Sequence, residues 1–426
     1  MAKEKYQYYF VLGTNHSLCK ADIVNVLARE KAKFSILEAS EEILIVETKG
    51  KIDTEKLINT LGSAVKIGEI FKKYEPKNFP DNLLKETESE KFKNFFLKEK
   101  TPSSHFAISV YNGGGGFKGL NRLWFSCPKI ASYLNQKTKV HYLRWRERKI
   151  PSFIVDQKKL LKTGFELMLA NGRQNIYVGK TTALQDYQSY SFRDYQRPQK
   201  DPHSGMIPPK LAKIMINLAG KEKNQTFLDP FCGSGTFLQE LILLGYKNII
   251  GADKNPKAIE ATKKNLDWLF SQYSLNKKDY SLKIFESDVR VLSSKLPSQS
   301  VDAIVSEPYL GPPRAKYFSP HQMRQEIARL ASFYLSAFTG LKPVLKKDAA
   351  VVIIFPVFKL KNQFFQLEIL EKLRQLGFSP QDFVSPKIPG AKLLSLKITP
   401  RRSIIFFHPG QTISREIFIF KTSHLK

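Results

Sequence analysis

The chain has few cysteines. Cys19, Cys127 and Cys232 are scattered through 426 residues, with no Cys-x-x-Cys pair. A disulfide-stapled scaffold and a cysteine-built zinc site are therefore excluded, and a reducing, cytoplasmic setting is expected. No apolar run approaches the roughly 18 residues that cross a bilayer. The opening Met-Ala-Lys-Glu-Lys-Tyr-Gln has no long apolar core, so neither a signal peptide nor a membrane partner is expected. Internal repeats are absent, no obligate protein partner is evident, and no metal site is expected. Negative charge is also scarce: 39 Asp and Glu stand against 68 Lys and Arg, a formal net charge of +29. Such an excess makes a polyanion, nucleic acid above all, the leading partner, because neutralising phosphates takes clustered cations.

The material for cores is present, with 42% apolar and 12% aromatic residues. The length favours two or three domains. Residues 1–75 read as a small α+β unit: strands at Tyr8–Leu12 and Ile43–Glu47, a helix over Leu18–Leu27, and helical spacing again from Thr54 to Phe71. A charged stretch, Lys72–Lys100, reads as a linker with one helix near Glu90–Leu97. It leads into a second α+β unit, giving residues 76–185 as one domain, with strands at His105–Tyr111, Val140–Trp145, Gly164–Leu169 and Asn175–Gly179 and a helix over Gly119–Leu134. The glycines Gly113–Gly116 lack the following Lys-Ser/Thr of a phosphate loop and read as a hairpin turn. Residues 186–210 form a polar connector. From 211 to 426 strands alternate with helices, the pattern of a doubly wound α/β sheet. Its strands fall at Gln225–Leu228, Asn248–Ala252, Leu282–Phe285, Ala303–Val305 and Ala350–Phe355. Two apolar strands around Pro409-Gly410 then close the chain as an antiparallel hairpin. A parallel sheet with such a terminal hairpin resembles the class I methyltransferases rather than the dehydrogenases.

The chemistry concentrates at successive strand ends. Asp229-Pro-Phe-Cys-Gly-Ser-Gly-Thr236 passes from a strand through two glycines into a helix, without the third glycine of a dinucleotide loop. A methionine-bearing adenosine cofactor has no pyrophosphate to cradle. Gly233 and Gly235 would let the backbone approach its amino-acid end, with Phe231 and Thr236 alongside, and Asp229 can accept from its ammonium group. Asp253 ends the next strand and suits ribose hydroxyls, with Lys254 beside it. Asp288 ends the third and can read an adenine amino group, with Val289 beside it. The fourth strand delivers Ser306-Glu-Pro-Tyr309. This is similar to the Asp/Asn/Ser-Pro-Pro-Tyr motif of amino-group methyltransferases, which holds an exocyclic amine by a polar side chain and a carbonyl and stacks the base on the aromatic ring. Ser306 takes the polar slot, Glu307 replaces the first proline, Pro308 is the second and Tyr309 the aromatic. Whether Ser306 or Glu307 holds the amine stays open.

The connector adds Tyr190-Ser-Phe-Arg-Asp-Tyr-Gln-Arg-Pro198 and Ser204-Gly-Met-Ile-Pro-Pro-Lys-Leu-Ala212. Taken with the glycine loop, residues 177–320 resemble the THUMP-domain tRNA guanosine-N2 methyltransferase family, more weakly so the first 175. The resemblance implies a ferredoxin-like amino-terminal domain, a THUMP-like RNA-binding domain, S-adenosylmethionine as methyl donor and tRNA as substrate. It also implies that the connector lies over the cofactor, with Arg193, Asp194, Pro208 and Lys210 flanking the pocket, and that the amino-terminal half holds the acceptor end of tRNA.

Independently, the run from Lys137 to Lys149 interleaves cations with aromatic rings, a combination that suits phosphate contacts plus stacking on RNA. Lys137, Lys139, Arg144, Arg146 and Arg148 are its candidate contacts, with Arg314 after the fourth strand facing substrate phosphate alongside Lys316 and His321. Further basic density falls at Lys342–Lys347 and Arg401-Arg402. Two other readings remain: a DNA amino-methyltransferase, and an RNA-binding protein that kept the fold without the activity.

Overall fold

A computed structural model describes residues 5–97, 104–138, 140–200, 206–360, 363–407 and 413–423. Contacts divide the chain into two compact units, Met1–Tyr187 with Val384–Leu396, and Gln188–Phe383 with Lys397–Lys426. Among the described residues no helix is long and apolar enough to cross a membrane.

In the first unit, eight strands make one sheet: β1 (Tyr6–Leu12), β2 (Phe34–Ala39), β3 (Ile43–Thr48), β4 (Ala64–Tyr74), β5 (His105–Asn112), β6 (His141–Tyr142), β7 (Phe165–Asn171) and β8 (Ile176–Leu184). They lie in the order β2-β3-β1-β4-β8-β7-β5-β6, so the antiparallel pairing of β4 with β8 carries the sheet without a break across residue 75. The helical spacing from Thr54 to Phe71 is honoured only through Thr60; from Ala64 onward the chain is β4. Gly68 accounts for the switch. A Cβ there would lie 2.2 Å from the Lys180 carbonyl and 2.3 Å from the Tyr9 ring, so β4 approaches its neighbours as only glycine allows. Val140–Trp145 contracts to a two-residue edge strand. The charged stretch expected to be a linker instead gives Phe79, Leu83, Leu84, Phe92 and Phe96 to the core.

A buried polar cluster ties this sheet together. Glu166 on β7 is wholly inaccessible. It accepts hydrogen bonds from Lys66 Nζ at 2.5 Å, Ser109 Oγ at 2.5 Å and Thr181 Oγ1 at 2.7 Å. Thr181 Oγ1 in turn lies 2.6 Å from Tyr9 Oη. Strands β4, β5 and β8 thus meet on one carboxylate of β7, and β1 reaches it through Thr181, so the buried charge has both a cation and hydroxyl donors, the condition under which it is tolerated. The segment Val384–Leu396 packs into the same unit. Leu394 joins the core, Lys20 Nζ donates to its carbonyl at 2.5 Å, and Ile36 N donates to the Pro389 carbonyl at 2.9 Å.

The second unit contains β9 (Thr226–Asp229), β10 (Asn248–Asp253), β11 (Ser281–Glu286), β12 (Val301–Ser306), β13 (Leu345–Leu360), β14 (Gln363–Gln366), β15 (Phe378–Pro380), β16 (Ile404–Phe406) and β17 (Ile413–Thr422). The sheet order is β11-β10-β9-β12-β13-β17-β15. Pairs from β11 through β13 are parallel, while β17 lies antiparallel between β13 and β15. This is the class I methyltransferase arrangement. The expected hairpin forms as β16 against β17, but the larger role of β17 is to fill the sheet beside β13. Phe338 and Tyr334 of the helix Pro320–Leu341 close one core with Phe355, Phe418 and Phe420 of β13 and β17. Strand order reverses between β9 and β12, the switch point where open α/β sheets bind ligands outside the carboxyl strand ends.

Candidate active site

β9 and β12 are neighbours, and their last residues meet. Ser306 Oγ donates to Asp229 Oδ1 at 2.5 Å, and Phe231 N donates to the same oxygen at 3.2 Å. Both side chains are buried, Asp229 at 1% exposure and Ser306 at 0%. Burial, with the nearby charges of Asp253 and Glu307, pushes the Asp229 carboxyl up to about 7, against the pull of Ser306 and Phe231, and no cation pairs with it among the described residues. An ammonium group docking here would supply the missing positive charge.

The loop after β9 is shaped by two glycines in the left-handed region, Gly233 at φ 51° and Gly235 at φ 86°. Gly233 N donates to Asp253 Oδ2 at 3.0 Å, so the loop is fastened to the end of β10. Asp253 Oδ1 accepts from Asn255 N at 2.9 Å, and Asn255 caps the helix Pro256–Gln272. Each Asp253 oxygen retains a lone pair for a hydroxyl. From that helix, Thr262 Oγ1 donates to the Gly233 carbonyl at 2.7 Å, and Asn265 Nδ2 donates to the Ser234 carbonyl at 2.9 Å. Asp229, Gly233, Gly235 and Asp253 are the groups here that could hold a cofactor bearing an ammonium and vicinal hydroxyls.

Other expected contacts are otherwise engaged. Asp288 accepts from Arg290 Nε at 2.9 Å and Nη2 at 2.7 Å, which lowers its carboxyl to about 2, and it caps the turn Val289–Ser294. Lys254 is exposed and acts electrostatically on Asp288. Val289 belongs to the core, and Phe231 packs against Phe333. Arg193, on the helix Tyr187–Tyr195, is spent on Glu240 of the helix Thr236–Leu243: Nε donates to Oε1 at 2.6 Å and Nη2 to Oε2 at 3.3 Å. Burial alone would lower its affinity for a proton, and Glu240 more than restores it. Asp194 is half-buried on the same helix and acts electrostatically on Arg197. Pro208 precedes the helix Pro209–Leu218 as its cap residue.

Glu307 is held by a residue of β17, two strands away in the same sheet. Its Oε1 accepts from Arg415 Nε of β17 at 2.5 Å, with both side chains no more than 10% exposed. Burial raises the Glu307 carboxyl, and Arg415 offsets this only in part. Pro308 is buried, while Tyr309 is 46% exposed. The Tyr309 carbonyl accepts from Tyr334 Oη at 3.2 Å, and the Arg329 guanidinium lies 5.8 Å from its ring centroid. Arg314 is exposed on the turn Pro313–Tyr317 that follows.

Several working residues escape a reading of motifs. Arg415 sits in a strand expected only as a hairpin arm, though Arg415-Glu416 inside an apolar run is a local sign of buried charge. Arg197, 2% exposed, donates through Nη1 to Thr236 Oγ1 at 2.7 Å. In the first unit, Lys137 pairs with Glu88 at 3.1 Å and Arg148 with Glu42 at 3.1 Å. Arg144 and Arg146 are exposed, and Lys139 lies outside the described residues.

Comparison with known proteins agrees with this layout. A family profile described as RMKL-like, methyltransferase domain, matches residues 196–374, and one described as DNA methylase matches residues 29–264. A tRNA (guanine(10)-N2)-dimethyltransferase of Methanothermobacter thermautotrophicus is 37% identical over 117 residues, 27% of this chain and 31% of that protein. A probable tRNA (guanine(10)-N2)-dimethyltransferase of Methanothermococcus thermolithotrophicus is 35% identical over 144 residues, 34% of this chain and 77% of that one. This chain belongs to the tRNA guanine-N2 methyltransferase family. It spans only 31% and 39% of the length of the first two curated relatives it matches. The crystal structure of TrmN from Thermus thermophilus shares the fold of this family member, with a TM-score of 0.55 at 12% identity over 99% of this chain and 100% of that one. The methyltransferase signatures of the chain thus fall where β9, β10 and β12 end.

Proposed function

We propose that the chain transfers a methyl group from S-adenosylmethionine to an exocyclic base amine, guanine N2 in tRNA, in the cytoplasm. The observation that carries this reading is Asp229: a buried carboxylate with no cation paired to it among the described residues, at the sheet's switch point, beside a glycine loop fastened to Asp253. These groups suit the cofactor's ammonium and ribose hydroxyls, with Phe231, Thr236, Lys254, Asp288, Val289, Arg193, Asp194 and Pro208 in the surrounding shell. When bound, the cofactor supplies an electrophilic methyl carbon.

The chain's own residues then present the amine. Ser306 donates its hydroxyl proton to Asp229, so its task is to orient that carboxylate. Glu307 is the acceptor we assign to the amine N–H, with the Pro308 carbonyl as the second, and Tyr309 stacks on the base. Two acceptors aim the nitrogen lone pair at the methyl carbon, and alignment supplies most of the rate. The proton shed by the methylated nitrogen leaves through Glu307 or water. A base must leave its helix to reach such a pocket. We assign residues 1–75 to a ferredoxin-like domain, 76–185 to a THUMP-like RNA-binding domain, 186–210 to the connector and 211–426 to the methyltransferase domain. Arg144, Arg146 and Arg314 are exposed and would meet phosphates.

Incubation with labelled S-adenosylmethionine and bulk tRNA, followed by nucleoside mapping, tests the reading. Labelled N2-methylguanosine is expected; no label in any RNA or DNA pool, with cofactor bound, refutes it. The DNA methylase match over residues 29–264 favours a second reading, which label in DNA and not in tRNA would select.

A further inference from the structure

The helix Phe117–Thr138 has a buried face and an unusual opposite one. Leu120, Leu123, Cys127, Ile130, Ala131 and Leu134 pack into the core of the first unit. On the outside, Lys118, Arg122, Phe125 and Lys129 recur at the i, i+4, i+7, i+11 spacing of a single helical stripe. Phe125 is 76% exposed and Phe117, beside Lys118 in the first turn, is 75% exposed, among the most solvent-accessible large hydrophobic residues described. Isolated exposed apolar side chains are ordinary, but two phenylalanines set among cations on one helix are not.

Charge identifies what could cover them. The 22 residues of this helix include no Asp or Glu. Among the described residues Lys118 has no ion-pair partner, and Arg122 Nη2 donates only to the Lys77 carbonyl, at 3.4 Å. Lys129 is the exception, paired with Asp81 at 2.6 Å. A surface of one charge sign studded with flat rings matches a polyanion that also carries flat rings. In duplex RNA those rings are stacked away, and in an unpaired stretch they are available.

We propose that Phe117 and Phe125 form a stacking platform for unpaired bases of RNA, with Lys118 and Arg122 on the adjoining phosphates. The proposal rests on the RNA-modifying function above, and extends the RNA surface beyond the Lys137–Lys149 run.

The test is anisotropy titration of the full-length protein against transcribed tRNA and against an unlabelled-competitor series of oligouridylate, over a range of salt. Phe117→Ala with Phe125→Ala is expected to weaken binding to both at least about ten-fold, since each base–aromatic stack contributes on that scale. Lys118→Gln with Arg122→Gln is expected to flatten the dependence of log affinity on log salt by about 1.4, two single-strand phosphate contacts. Cofactor affinity stays unchanged. Should the alanine pair lower the melting temperature, Phe117→Trp with Phe125→Trp decides: preserved RNA affinity supports the platform and its loss overturns it. RNA affinity unmoved by the alanine pair also overturns it, including where the pair abolishes binding of an acidic protein instead. Failure of the unmodified protein to bind any RNA is a different result, and it sinks the proposed function itself.

Discussion

Arg415 Nε reaches Glu307 Oε1 at 2.5 Å, joining the inserted strand β17 to the loop where the family's motif has lost a proline. A proline at 307 would stiffen that loop by its ring. Here an ion pair from another strand does the same work, and it leaves a carboxylate in the loop. The departure from the motif and the arginine that supports it therefore form one device.

Arg415→Met should disable the device. It strands Glu307 in a buried position without its cation, a change that destabilises by about 3–5 kcal/mol when such pairs are broken. The expected result is a lower melting temperature and a loss of methyl transfer, with cofactor affinity kept. Adding Glu307→Gln should recover most of the melting temperature and none of the turnover. Calorimetry and single-turnover assays on the two variants separate these effects; full turnover in the double variant would remove Glu307 from the amine.

Asp229 should make both stability and cofactor binding depend on pH. Its folded carboxyl titrates at about 7, above the ordinary value of 3.8. Folding therefore retains a proton between those values. The contribution of Asp229 to stability is fully present below about pH 4, falls as pH rises, and is lost above about pH 7, a total change of ~4 kcal/mol for this one group. Asp229→Asn should remove this fall, so its melting temperature exceeds that of the parent at pH 8 more than at pH 5. Cofactor affinity should run the other way in the parent, rising as the carboxylate forms to receive an ammonium. Isothermal titration from pH 5.5 to 8.5 checks the slope, and a flat profile would detach Asp229 from the cofactor.

The strand ends were legible because each signal is local. A short apolar run, an acid and a glycine or proline sit within a few residues at Asp229, Asp253 and Ser306. The helical spacing of Thr54–Phe71 misleads because Gly68 and its neighbours answer to β8, over a hundred residues away. The same distance hides Arg415, whose partner lies 108 positions earlier. The family resemblance sets Arg193 beside the cofactor, while the fold pairs its guanidinium with Glu240. Long-range pairing of charges leaves little trace in a single sequence: a charge inside an apolar run, as at Arg415, signals burial but does not name its partner.

The carboxylate of Glu166 should govern the cohesion of the first unit. Lys66→Met removes its cation and leaves the hydroxyls of Ser109 and Thr181 beside a buried negative charge, with an expected loss of about 3–5 kcal/mol. Pairing it with Glu166→Gln should restore a large part. Hydrogen exchange of the β4, β5, β7 and β8 amides reads the result directly. Because the cluster draws on strands from both sides of residue 75, protection should fall together in β1 and β7. Loss confined to β5–β7 would mean that the two halves of this sheet open separately.

The two loop glycines should fail differently when changed to alanine. At Gly235 a Cβ would meet Thr262 Cγ2 and Oγ1 at 3.1 Å, on top of a φ of 86° that alanine resists. Moving Thr262 also weakens its hydrogen bond to the Gly233 carbonyl. Gly235→Ala is therefore expected to lose 2 kcal/mol or more, in the range of about 1–3 kcal/mol for such strain plus the displaced contact, and to bind cofactor poorly as a consequence. At Gly233 the only atom within 4 Å of a Cβ is the Phe231 carbonyl oxygen, at 4.0 Å, so the protein itself leaves room. Gly233→Ala should lose only about 1 kcal/mol, the left-handed penalty, while the methyl group enters the space beside Asp253. Its melting temperature should stay close to the parent while cofactor affinity drops at least ten-fold, the order of effect of a lost close approach. Equal cofactor affinity in Gly233→Ala and the parent would show that no ligand passes along this loop.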